Sequence, residues 1–583
     1  IGGYVQFSRK DQTSFAAANG TYNWGDNPNN PFDTNFGYSN ALLGVYNSFT
    51  QAGAYANGMY RYNNVEWYVQ DTWKVTRRLT FDYGMRFAWI QPQFDRSRQV
   101  SSFRPELFNQ AQAVRLYDRA VVNGVTVAID PATGQTQPSF AIGRIVPNSG
   151  NLLNGIVRPD KEVNKYLMED NGIHWGPRFG MAWDIFGNQK TVFRAGGGIF
   201  YDRYQGNRVF DLLRNPPTVV EATLNFGFAG DINPASALIG PPGLTMADPT
   251  GVVPRVYNFS AGIQREIFGG TVLDVSYVGS LGRNLQNNRN LNPVPYGVLF
   301  NPQFANAPNA DFLRPYRGYG NINIYEGSNT SNYNSLQVTA SRRLRDLTFD
   351  FNYTFSKALG TGTGDGDFAR IDNLQRFANY SYLGIHRKHN ANVNFIYNLP
   401  NFARNGAKPL SAIAGGWQVS GIYSYTSGAP EGIGFSVPGI GNPQLTGSFT
   451  EGARVRVIGD PTQGVARNNR NAYLNPSAFA PPQPGSIGVE SAARLVFRPA
   501  LSNWNISLQR NVRVREGMTM QFRVDTFNTF NGAQISDFNR TIAFNSLTNP
   551  RVTNFDPTRP GGFGAANSVH SPRILQSMIR FQF

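Results

Sequence analysis

The sequence predicts an all-β chain, a large antiparallel transmembrane β-barrel of the outer-membrane type. Three observations predict it. Long segments alternate apolar and polar residues almost without error, their connections are alternately short and long, and the last alternating segment stops on an aromatic residue.

The bulk composition sets the frame. Charged residues make up 15% of the 583 residues, below the roughly 25% of ordinary soluble domains. Glycine (61 residues) and aromatics (13%) are abundant, which separates the chain from disordered segments. Mean hydropathy is −0.36, and no run of about 18 apolar residues exists to form a membrane-spanning helix. Spanning strands escape that test, because lipid-facing and lumen-facing residues average out. No cysteine is present, so neither a disulfide framework nor a thiolate metal site is available. The formal charge of +16 is scattered over turns and loops, with no arginine-rich helix to read a groove, and nucleic acid is not an expected partner.

Taken in order, the clearest strand begins at Leu79. Leu79, Phe81, Tyr83, Met85, Phe87 and Trp89 share one face, while Thr80, Asp82, Gly84, Arg86 and Ala88 share the other. Leu347, Phe349, Phe351, Tyr353 and Phe355 alternate with Thr348, Asp350, Asn352, Thr354 and Ser356. Ala391, Val393, Phe395 and Tyr397 alternate with Asn392, Asn394 and Asn398. Trp417, Val419, Gly421, Tyr423 and Tyr425 alternate mostly with Gln418, Ser420 and Ser424. Met520, Phe522 and Val524 alternate with Gln521, Arg523 and Asp525. Shorter runs lie near 65–71, 178–185, 191–201, 257–264, 271–279, 335–342 and 504–510. With the segment 573–583 this makes about thirteen strands, and two or three weaker ones are expected before residue 64.

The connections carry the argument from strands to barrel. Segments 72–78, 186–190, 266–270, 343–346, 399–416 and 511–517 are short or fairly short. Between them stand 91–177, 202–256, 280–334, 357–390, 427–503 and 527–572. Short turns on one rim and long loops on the other are the parity of an outer-membrane barrel, the short rim being periplasmic. A propeller or a sandwich has no reason to keep it.

The last segment sets direction. Leu575, Ile579, Phe581 and Phe583 share one face, and Gln576, Arg580 and Gln582 the other. An alternating strand ending on Phe583 resembles the signal read by the outer-membrane assembly machinery, with Ile579, Phe581 and Phe583 as its apolar residues. It puts the C-terminus in the periplasm and the long loops outside.

A closed ladder is the physical reason such a chain can span a membrane, since it pairs every backbone amide and leaves no edge in hydrocarbon. Trp67, Trp73, Trp89, Trp183, Tyr201, Tyr425 and Trp504 fall near strand ends and suit interfacial aromatic girdles. The lumen-lining candidates are Asp82, Arg86, Asp184, Arg194, Asp350, Arg523 and Asp525, accompanied by Arg178, Asp274 and Arg580. Mixed charges of this kind line a water-filled path or hold a plug.

Seven stretches, in order, resemble the Oar-like β-barrel branch of TonB-dependent transporters. They span 67–87 (WYVQDTWKVTRRLTFDYGMRF), 191–203, 273–285, 333–344, 347–359, 473–488 and 522–534. The resemblance implies a barrel of about 22 strands closed by a plug, with a periplasmic segment that engages TonB. It implies residence in the bacterial outer membrane among lipid and lipopolysaccharide. Residues 1–583 are expected to be barrel domain throughout, lacking the first strands, the plug and the periplasmic domains. The function implied is import of a nutrient through the external loops and the lumen. The alternative is a passive porin-like channel or a surface-binding barrel without energy coupling, and a third reading is a soluble β-rich carbohydrate-active enzyme.

Other motifs carry less. Gly360-Thr361-Gly362-Thr363-Gly364-Asp365-Gly366-Asp367 lacks the strand-to-helix turn of a nucleotide loop. It reads as an external loop made flexible by glycine, with a Ca²⁺ site as the sharper option. His386 and His389 stand beside Arg387 and Lys388, which disfavour a metal. No nucleophile–base set stands out, and no enzyme activity, cofactor or metal is expected.

Overall fold

The computed structural model describes the chain except for residues 15, 234–236, 345, 363–375, 401–413 and 466–468. Among the described residues, one antiparallel wall is built from fourteen strands. They are β1 (Gly2–Thr13), β2 (Asn57–Lys74), β3 (Leu79–Ile90), β4 (Ile173–Asp184), β5 (Thr191–Tyr201), β6 (Arg255–Ile267) and β7 (Thr271–Asn290). There follow β8 (Ile322–Arg343), β9 (Leu347–Gly360), β10 (His389–Asn398), β11 (Trp417–Thr426), β12 (Leu501–Arg515), β13 (Met518–Phe527) and β14 (Ile574–Gln582).

Each strand pairs antiparallel with the next in sequence, from β1–β2 through to β13–β14. The up-and-down order follows from the connections, because consecutive strands joined by a tight turn have no other low-cost neighbour. β1 and β14 are the two edges of the described wall. Closure in hydrocarbon requires both edges to be paired, with each other or with further strands.

The loop parity holds at every connection. Turns 75–78, 185–190, 268–270, 344–346, 399–416 and 516–517 lie on one rim; most of 399–416 falls outside the described residues. Loops 14–56, 91–172, 202–254, 291–321, 361–388, 427–500 and 528–573 lie, in their described residues, on the other; 363–375 fall outside these.

Register shows why the alternation is so regular. The apolar row of β3 continues sideways through Phe81, Met181, Ala195, Ala261, Tyr277, Leu336 and Phe355 on successive strands. Aromatic rings meet across this outer face. Trp67 stacks on Phe87 at 5.5 Å, Phe87 meets Trp175 edge-on at 5.1 Å, and Tyr423 lies 4.6 Å from Trp504. Trp89 Nε1 donates to the Asp170 carboxylate at 3.1 Å, the polar anchor of an interfacial tryptophan. A one-residue slip would turn the whole row inward, which is why register is strongly specified here.

Two expectations are corrected. Of the weaker strands before residue 64, only β1 joins the wall. Thr21–Asn23 and Val45–Ala52 instead pair in an external sheet with Glu221–Phe228 and Leu238–Ile239. The other difference is at β7 and β8, which extend beyond the predicted runs to Asn290 and back to Ile322. Residues 286–290 are polar on both sides and only Leu281 and Leu285 precede them, so periodicity missed the extension, yet cross-strand pairing continues as a ribbon above the membrane.

The external loops are packed bodies with their own cores. One core gathers Tyr60, Val100, Leu167, Phe210, Leu212 and Leu213 from two loops and a strand end. Another gathers Val455, Leu474, Phe538, Ile542, Phe544 and Phe563 from loops 427–500 and 528–573. Hydrogen bonds from Ser448 Oγ to the Val294 carbonyl (2.6 Å) and from the Gly297 amide to the Thr446 carbonyl (2.7 Å) tie loop 291–321 to loop 427–500. No described helix is long and apolar enough to cross a membrane, which says nothing about strands.

Candidate functional site

The inner face of the wall is the candidate site, and its residues come from the positions that alternate with the apolar row. On β2 to β6 this face mixes arginines with small residues. Arg86 pairs with Glu66, and Thr72 Oγ1 donates to Asp82 at 2.6 Å. Arg178 lies over the Phe200 ring at 4.7 Å. Arg194 stands between Ala182 and Gly262 on the neighbouring strands, with no ion pair among the described residues. Asp184 is elsewhere. Its carboxylate accepts the Gly187 and Gln189 amides at 3.0 and 2.9 Å and shapes the short turn between β4 and β5.

From β8 to β13 the inner face changes character to carboxamides and hydroxyls. Gln418 donates to Asn398 at 2.7 Å and accepts from Gln509, so one hydrogen-bonded row crosses three strands. Thr339 donates to Asn352 at 3.1 Å, and Asn503 to Asn505 at 3.1 Å. Ile396, Ile422 and, at the end of β13, Phe527 interrupt this polar lining, and all three are about half exposed: 46%, 48% and 43%.

The charged candidates fall into two groups. Asp82 and Arg86 line one hollow with Tyr68, Gln70 and Arg178. Asp350, Arg523 and Asp525 line a second on β9 to β13, where Arg523 Nε donates to Asp525 at 2.8 Å. Arg194 and Asp184 join neither. Of the accompanying residues, Asp274 accepts a hydrogen bond from Ser276 Oγ at 2.5 Å, and Arg580 lies opposite Gln521. Ile579 and Phe581 lie opposite Phe522 and Met520 in the apolar row, and Phe583 follows the end of β14.

Sequence reasoning passed over Glu66, the carboxamide rows and the two isoleucines. Glu66 belongs to a run too short to assign a face. The isoleucines break the alternation at 396 and 422, and that break was the available signal.

Outside the wall, His386 is buried, its Nδ1 accepting from the Ala358 amide at 3.2 Å and its ring stacked on Tyr382 at 4.6 Å. Burial first, then Arg387, Lys357 and Lys388, push its pKa below the ordinary 6.5. His389 Nδ1 shares a 2.8 Å hydrogen bond with Tyr353 Oη. No group of three or more potential metal ligands occurs among the described residues, and residues 364–367 of the Gly-Asp stretch lie outside them.

The chain is similar to the outer membrane transporter YddB from Escherichia coli at 10% identity, covering 92% of this chain and 55% of that one, with TM-score 0.38. For the ferric enterobactin receptor PfeA from Pseudomonas aeruginosa the figures are 11% identity, 100% and 59% coverage, and TM-score 0.38. For the siderophore receptor PiuA from Acinetobacter baumannii they are 8%, 90% and 44%, and 0.35. The chain thus spans about half the length of these structures. No curated protein matches. The family model of the outer membrane beta barrel domain matches residues 1–576. The chain therefore belongs to the outer membrane beta barrel domain family, and its place is the bacterial outer membrane.

Proposed function

We propose that this chain forms the wall and external loops of a TonB-dependent importer of the Oar-like type, admitting a nutrient from outside through the lumen. The observation that carries the reading is the pairing of a polar inner face with external loops packed into bodies that have their own cores. A simple diffusion pore has little use for so much ordered structure above the membrane, whereas a receptor that selects its solute has. The seven stretches shared with Oar-like barrels support the same choice. In this reading lipopolysaccharide surrounds the outer face, the assembly machinery engages β14, and TonB supplies the energy.

The test uses the full-length polypeptide. Photocrosslinking to the TonB C-terminal domain is the expected result, together with proteoliposomes that do not swell in small sugars. Free swelling without a TonB crosslink overturns energy coupling and leaves the passive channel.

A further inference from the structure

The second hollow, on the inner face of β9 to β13, has a composition that points to one class of solute. Its register places Asp350 opposite Asn394, Asn394 opposite Ile422, and Ile422 opposite Asn505. One pair along the strand, Ile396 lies between Thr348 and Ser420. Ile396 and Ile422 are thus diagonal cross-strand neighbours, about 7–8 Å apart at the backbone. Each is about half exposed among amides, hydroxyls, carboxylates and the Arg523 guanidinium, with Phe527 as a third exposed apolar residue in the hollow. A half-exposed isoleucine in a polar lining costs hydration free energy unless something apolar covers it.

We infer that this hollow binds a neutral saccharide, with Ile396 and Ile422 as an apolar platform under a sugar ring and Asp350, Asn394 and Asn505 as hydrogen-bond partners of its hydroxyls. A pyranose presents one face of C–H groups and a rim of hydroxyls that each donate and accept. An amide offers both functions in one plane, and a carboxylate accepts from two adjacent hydroxyls. Charge excludes the main competitors. Arg523 is engaged by Asp525, so no uncompensated cation remains to hold an anionic solute. Asp350 is the single carboxylate of the hollow outside that pair, too few for a polycation. The cavity volume, about 380 Å³, lies in the range of small-molecule sites.

This inference rests on the importer reading for its purpose, but its test does not require transport. The purified full-length protein in detergent is titrated calorimetrically with maltohexaose, xylohexaose and cellohexaose, with hexagalacturonate and a neutral hexapeptide as controls. Saturable binding of at least one neutral hexasaccharide is expected, unchanged between 50 and 500 mM salt. Asn394→Ala and Ile422→Asp are each expected to weaken it at least tenfold, with an unchanged circular dichroism spectrum. Absence of binding by all three sugars, or binding that both variants leave intact, overturns the proposal, as does preference for the hexagalacturonate or the peptide. Sugar binding in a protein that fails to crosslink to TonB would refute the importer reading and leave this one standing.

Discussion

Arg289 and Glu326 show how single residues hold the external ribbon of β7 and β8. Their carboxylate–guanidinium contacts measure 2.8 and 3.1 Å, and both side chains are largely buried. Removing one partner strands the other charge away from water, so Arg289→Met is expected to cost about 3–5 kcal/mol locally. Hydrogen exchange of 285–290 and 322–328 checks it. Faster exchange confined to the ribbon is the expected pattern, and an unchanged rate would mean the pair is solvated.

His386 is the residue through which pH reaches the loops. Its Nδ1 can accept from Ala358 only while unprotonated, and its ring packs against Tyr382 and, at 6.0 Å, Phe497 of another loop. Because burial lowers its folded pKa, the unfolded state binds the proton more readily. Its contribution is complete above pH 6.5 and declines as pH falls from there toward the lowered value. Acidification from pH 7.5 to 5 is expected to lower the protection factors at 380–388, exchange being corrected for its intrinsic pH dependence, and His386→Gln is expected to abolish that drop.

At the scale of elements, a strand of β9 is a two-sided object. Phe351 lies between Ala340 and Val393 in the apolar row, and Asn352 between Thr339 and Asn392 in the polar one. Phe351→Arg is expected to destabilise the folded barrel by about 2–4 kcal/mol, with Asn352→Arg costing much less. Denaturant titration in lipid vesicles measures both. Equal losses would mean the two faces are misassigned. The loop body of 427–500 and 528–573 depends instead on ordinary burial, with Phe563 and Ile542 fully enclosed. Phe563→Ala is expected to cost about 3–5 kcal/mol, read as protease sensitivity of these two loops while the wall remains resistant.

For the whole molecule the prediction concerns sidedness. The chain has no cysteine, so single replacements report cleanly. Val122→Cys, exposed at the tip of the hairpin formed by Asp118–Val122 and Val125–Ile129, is expected to react with an impermeant maleimide on intact cells. Glu516→Cys, in the turn between β12 and β13, is expected to react only after the envelope is opened. Labelling in the reverse order would invert the barrel.

How much of this was legible beforehand depends on the range of the interactions involved. The wall strands, the loop parity and the outward row could be read from the chain because a bilayer imposes a period of two over about ten residues, a purely local constraint. The aromatic contacts of the outer face were legible for the same reason, although Trp175 lay beyond the predicted start of β4 and was missed. The inner face was only half legible. Asp350, Arg523 and Asp525 each fall on the polar parity of their own strand, but their meeting in one hollow depends on register across five strands. Tertiary structure alone decided that Val45–Ala52 leaves the wall to pair with Glu221–Phe228, and that Asp184 serves a turn. The loop cores join residues more than a hundred positions apart, and such contacts leave no period in the sequence. Lipid writes its demand on every second residue, while packing between loops is settled only once the chain has brought them together.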